Sequence, residues 1–120
     1  MTDPILEQIQ AHATEFAMEL TRVSRRKTIC LVCDLGAKRH YYQHGSYVVW
    51  AETYDFIGME GGAVFVVFRG ILIDGVLQHV IQRSTCSTID NAEKLTRGTF
   101  EHECVDTAGA EQADRTYIFG

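Results

Sequence analysis

Proline is nearly absent from this chain: Pro4 is the single one in 120 residues. Almost no segment is therefore barred from regular structure by a fixed φ and a missing N–H. No run approaches the roughly 20 apolar residues that a membrane helix needs. The N-terminus carries Asp3, Glu7 and Glu15 where a secretory leader would be basic and then apolar. A cytoplasmic location, with the four cysteines as reduced thiols, is the resulting expectation. The chain also lacks a glycine-rich phosphate loop and a Gly-x-Ser-x-Gly elbow, the sequence signs of nucleotide cradling and serine hydrolysis. Positive charge is in deficit: 11 Lys and Arg against 16 Asp and Glu give a net charge of −5. General nucleic-acid binding, which draws its affinity from neutralised phosphates, is not expected.

What charge there is lies unevenly. Arg22, Arg25, Arg26, Lys27, Lys38 and Arg39 cluster with Asp34 as the one acid among them. Glu101, Glu103, Asp106, Glu111 and Asp114 gather near the other end, opposed by Arg115 alone. Two solvated surfaces would account for this, and so would complementary patches that steer docking or self-association.

A content of 46% hydrophobic and 22% charged residues fits a globular domain with its own core. At this length residues 1–120 are expected to form a single α+β domain. Ile5, Ile9, Ala13, Phe16, Leu20 and Val23 recur at spacings of three and four, which predicts an amphipathic helix over 4–24. Thr2 or Asp3 can cap it, with Pro4 in its first turn. His12 falls beside the apolar stripe, as a residue at the boundary of the core.

Residues 27–34 read as a strand, and the run Ile29-Cys30-Leu31-Val32-Cys33 predicts that it is covered on both faces. A short strand is expected over 39–43 and a longer one over 47–56, rich in β-branched and aromatic residues. Trp50, Glu52 and Tyr54 share one face of the longer strand. A hairpin follows in 61–84, turning at Asp74-Gly75, the favoured two-residue connection. Its register sets Leu72 against Leu77, Gly70 against His79, Phe68 against Ile81 and Val66 against Arg83, and the face with Leu72, Leu77, Phe68, Ile81 and Val66 is expected to be core. Asp90-Asn91-Ala92-Glu93 resembles a capping box, which predicts a short helix over 90–97 that stops at Gly98. Alternation then predicts a strand over 99–106, with Phe100, His102 and Cys104 on one face. A loop over 107–113 and a final strand over 115–119 complete the reading.

The expected architecture is an N-terminal helix on an antiparallel, curved sheet of five to seven strands, with the short helix near 90–97. One helix covers one face of such a sheet, yet the central strands are apolar on both. The second face must be covered by the curling sheet, the C-terminal strands or another subunit. This is the physical ground for expecting a homo-oligomer or a protein partner.

Several constellations can be weighed for chemistry. Cys30-x-x-Cys33 with His40 and His44 offers a Cys2His2 zinc set. Its weakness is that residues 30 and 33 of one strand point to opposite faces, and two buried thiols with two surface histidines account for the same residues. Asp34, closing an apolar strand, has the place of a metal-binding aspartate, with Glu52 as its nearest companion, but strand termination explains it equally. Cys86 or Cys104 with His79 or His102 can be drawn as a nucleophile–base dyad, a cheap pairing in a chain with four cysteines and five histidines. Arg69 stands between Val67 and Ile71 on an apolar face, where it can pair with an acid such as Glu52 or bind an anion. His79 opposite Gly70 can fill the space of the missing side chain. Trp50 and Tyr54 around Glu52 suit either a core or an exposed recognition face.

The leading expectation is a non-enzymatic, small acidic binding protein of the inhibitor, immunity or adaptor kind, with no cofactor. It would act by protein–protein contact and steric occlusion, through Trp50, Glu52 and Tyr54 or through a strand edge. A second expectation is a binder or enzyme for a small anionic, nucleotide-like ligand, in a pocket between sheet and helix lined by Arg69, Glu52 and His79. A zinc protein using Cys30, Cys33, His40 and His44 is the third.

Overall fold

The apolar stripe of the N-terminal segment does form a helix, α1 (Pro4–Ser24). Asp3 caps it, its carboxylate accepting from Ile5 N at 2.9 Å and Leu6 N at 3.3 Å. Arg25 ends it in the left-handed region at φ 60°, and its N–H returns to Thr21 O at 2.8 Å. Ile9, Ala13 and Ala17 form the buried face, with Ile5, Phe16 and Leu20 packed at its margin. The computed structural model describes residues 3–36, 39–56 and 62–102.

Among the described residues five strands follow: β1 (Thr28–Val32), β2 (Tyr41–His44), β3 (Tyr47–Phe56), β4 (Val64–Ile73) and β5 (Val76–Cys86). They form one antiparallel sheet in the order β1-β3-β4-β5, with β2 also pairing with β3. β1 pairs with the far half of β3 (Thr28↔Phe56 to Val32↔Glu52), and β2 pairs with its near half (Tyr41↔Trp50 to His44↔Tyr47). The two short strands therefore share one flank of β3. The helix α2 (Ile89–Phe100) closes the described chain. The fold is α+β, with α1 on one face of the sheet and α2 on the other.

Each face carries its own core. Under α1 lie Val48, Trp50, Tyr54, Val66 and Phe68 with Ile9 and Ala17. Under α2 lie Val49, Ala51, Val67, Cys33, Leu35 and Tyr42 with Ala92. The central strands β3 and β4 are apolar on both faces because both faces are covered. The second layer expected from the sequence is thus supplied within the chain, by α2.

Four local expectations are corrected. The 90–97 helix runs on to Phe100, and the coil continues through residue 102, so 99–102 is not strand. Its cap is Thr88, whose side chain accepts from Asn91 N at 3.2 Å, in place of Asp90. β1 is a flank strand with Ile29 47% and Leu31 67% exposed, not a strand covered on both faces. The hairpin begins in the expected register, Leu72↔Leu77, but slips at two irregularities, giving Phe68↔Gln82 and Val66↔Thr85. One lies at His79, which takes φ 52°. The slips turn Val80 toward the α1 core and leave Ile81 44% exposed. The expected strands at 103–106 and 115–119, and the loop over 107–113, fall outside the described residues.

Gly70 has a steric reason to be glycine. A Cβ there would lie 2.8 Å from Leu77 Cδ1 and 3.3 Å from the Trp50 ring. Leu77 and Trp50, not His79, fill the space over it, and His79 is exposed.

Candidate functional site

Alternation along β3 puts Trp50, Glu52 and Tyr54 on one face, and that face lies beneath α1. Their exposures are 0%, 0% and 1%. They are core, and no recognition surface can be made of them. A buried carboxylate is costly unless donors replace its water. Glu52 takes the indole N–H of Trp50 on Oε2 at 2.5 Å and the Tyr54 hydroxyl on Oε1, and His12 Nδ1 approaches Oε2 to 2.6 Å. The His12 ring is wedged among aromatics, parallel to Phe16 at 6.0 Å and edge-on to Phe68 at 4.6 Å and Trp50 at 5.6 Å. Burial first, then the charge of Glu52, pushes the Tyr54 phenol far above the ordinary tyrosine range, so it stays a donor. The same two causes raise the Cys30 thiol. Both oxygens of Glu52 are engaged by the protein itself, and the group reads as the polar anchor between α1 and the sheet.

Sequence reasoning placed His12 at the edge of the stripe and missed its partner. The signal was present in part: a histidine three residues after Ile9 and four before Phe16 must face the sheet near its centre. What the sequence withholds is which strand residue lies beneath it.

The polar trio expected to line a ligand pocket is not brought together. Glu52 faces α1. Arg69, 8% exposed, occupies an odd position of β4 beside Val67 and so faces the α2 side. An Arg69–Glu52 pair is excluded by this alternation. His79 projects from the irregular part of β5.

The Cys2His2 set is likewise dispersed. Cys30 Sγ lies 3.0 Å from Ala13 O on the α1 side, and Cys33 Sγ lies 2.6 Å from Thr53 Oγ1 on the other. His40 Nε2 is 2.9 Å from Asp34 Oδ1, which also gives Asp34 a partner other than a metal. His44 is exposed. Among the described residues no three or more His, Cys, Asp or Glu side chains converge. Burial holds the Cys33 and Cys86 thiols above their ordinary range, where the nucleophilic thiolate is scarce. Cys104 falls outside the described residues.

The remaining feature is the outer flank of β1. Cys33 N donates inward to Ala51 O at 3.0 Å. Alternation then turns the peptide groups of Thr28, Cys30 and Val32 outward. Thr28 N–H is already used, donating to Thr21 Oγ1 at 3.0 Å. The N–H and C=O of Cys30 and Val32 have no strand beside them among the described residues. Ile29 and Leu31 stand exposed on the α2 side, and a groove between β1 and α1, walled by Ala17, Met18, Thr21 and Cys30, runs along the other. Met18 and Val23, each 67% exposed, extend the apolar surface onto the helix. Arg25, Arg26 and Lys27 lead into the strand and Asp34 follows it, all exposed.

β5, at the opposite flank, also exposes Val76 and Ile81. Its two irregularities and the left-handed His79 interrupt the outward row of peptide groups. Such bulges blunt a strand edge against pairing. β1 is regular and carries no such bulge, and its side chains Ile29 and Leu31 are apolar.

No protein-family model, no curated protein and no solved structure matches this chain.

Proposed function

We propose that this chain is a non-enzymatic binding protein that acts by protein–protein contact, adding a partner strand to β1 and occluding the surface that strand belongs to. The observation that carries this reading is the regular β1 flank, with outward peptide groups at Cys30 and Val32 and with Ile29 and Leu31 exposed beside them. Strand addition takes affinity from main-chain hydrogen bonds and selectivity from alternate side chains. Ile29 and Leu31 would meet apolar side chains at alternate positions, and Arg25, Arg26 and Lys27 favour a partner strand with acids at the end that meets them.

Trp50 and Tyr54 drop out as the contact surface because α1 covers them. The steric-occlusion mechanism passes to the strand edge, the other surface considered from the sequence.

The test uses an extended peptide with alternating valine and threonine and a glutamate-rich end, followed by fluorescence anisotropy. Saturable binding is expected, lost in Leu31→Lys and retained in Val76→Lys on the opposite flank. Equal binding by Leu31→Lys would remove β1 as the site. Native mass spectrometry of the purified chain supplies a second check. A stoichiometric small-molecule adduct would favour a ligand-binding protein, and a zinc-sized increment would favour a metal protein.

A further inference from the structure

Resting on the reading of β1 as the contact edge, we infer that the strand it accepts is β1 of a second copy, antiparallel about a two-fold axis at Leu31. Hydrogen-bond accounting selects this register. The strand offers outward N–H and C=O groups at Cys30 and Val32, while Thr28 N–H is spent on Thr21. A two-fold at Leu31 sets Cys30 opposite Val32 of the second copy, and Val32 opposite its Cys30. Every one of those outward groups is then paired.

The same axis is favourable to the side chains. Leu31 meets its own copy in the close, non-hydrogen-bonded position, with the two Ile29 residues diagonal to it. The most exposed side chains of the strand, at 67% and 47%, thereby cover one another. Charge agrees as well. Asp34 of the second copy falls near the end of the strand that Arg25, Arg26 and Lys27 lead into. The basic entrance of each strand meets the acidic exit of the other, and two-fold symmetry satisfies both ends at once. Asp34 is 61% exposed and can take an arginine while keeping His40. On the α1 side, the pairing brings Met18 of each helix toward the groove beside the other copy's β1.

The experiment is sedimentation equilibrium of the full chain across a series from micromolar concentrations upward. Twice the chain mass is expected for the wild type. Leu31→Lys should raise the dimer dissociation constant by about tenfold or more, because like charges then stand directly opposed. Its circular dichroism should stay unchanged, and its unfolding midpoint should match the wild type at dilutions where both are monomeric, since the side chain is mostly exposed. Leu31→Cys, oxidised with glutathione disulfide, should give a covalent dimer whose bridge maps to the introduced position in both chains, whereas Val76→Cys should not. A wild type that remains monomeric throughout the series overturns the inference, and so does a dimer undiminished by Leu31→Lys. A monomeric wild type that still captures the strand peptide through Leu31 would sink self-pairing alone. Loss of peptide specificity for Leu31 would sink the edge reading itself.

Discussion

At the scale of single residues, the Glu52 anchor makes the sharpest demands. Removing one donor from a fully buried carboxylate leaves charge without compensation, a cost of about 3–5 kcal/mol when both partners are buried. His12 keeps 22% of its side chain exposed, which lowers the expected loss for His12→Ala to about 2–3 kcal/mol. Urea unfolding should show it as a lower midpoint with an unchanged slope. A second demand comes from Tyr41, whose hydroxyl donates to Asp3 Oδ2 at 2.5 Å and ties the start of α1 to β2. Burial and the Asp3 carboxylate push its phenol up to about 12. A folded value above the unfolded one, about 10, means that its contribution is complete below the unfolded value. It is lost as pH rises through the folded one. Stability should therefore fall between these limits in parallel with tyrosinate absorbance, and Tyr41→Phe should remove part of that fall.

Elements add constraints that no single residue carries. Gly70→Ala should cost about 1–3 kcal/mol by overpacking, because a Cβ would meet Leu77 and Trp50 from two sides. Thermal melts will read this, and Thr88→Ala should lower the midpoint through loss of about 1 kcal/mol of helix capping. The elements themselves were legible to different degrees. The bounds of β3 follow from its β-branched and aromatic run, and α1 follows from its periodic stripe. The Asp74-Gly75 turn gave the first hairpin pairs, but not those beyond His79. A left-handed histidine has no composition signal, so the slip and the inversion of Val80 and Ile81 could not be read. Residues 99–102 alternate like a strand, yet Phe100 continues the four-residue spacing of buried Ala92 and Thr96 and packs against the core under α2, and tertiary burial decides for helix. Of the site, the shared face of Trp50, Glu52 and Tyr54 was legible from period-two alternation. Its burial was not, because the sequence does not say which face α1 takes.

For the molecule as a whole, the two helices divide the work of covering the sheet, and neither reaches the outer side chains of β1. The dispersal of the cysteines has a global consequence: Cys30 and Cys33 lie in different cores. Added zinc or a chelator should leave the melting temperature unchanged, whereas a metal-held fold would shift by several degrees in differential scanning calorimetry.

The two irregularities of β5 finally bear on how far assembly can go. A sheet with two pairing flanks is a monomer unit for a fibre, since each addition regenerates a sticky end. Here the β5 flank is kinked, so under the proposed self-pairing an addition at β1 would use the regular flank and leave a bulged one, which favours a dimer over a fibre. Straightening β5 by removing one residue at each slip, His79 and Arg83, should reopen that route, visible as thioflavin-positive aggregates where the parent chain gives none.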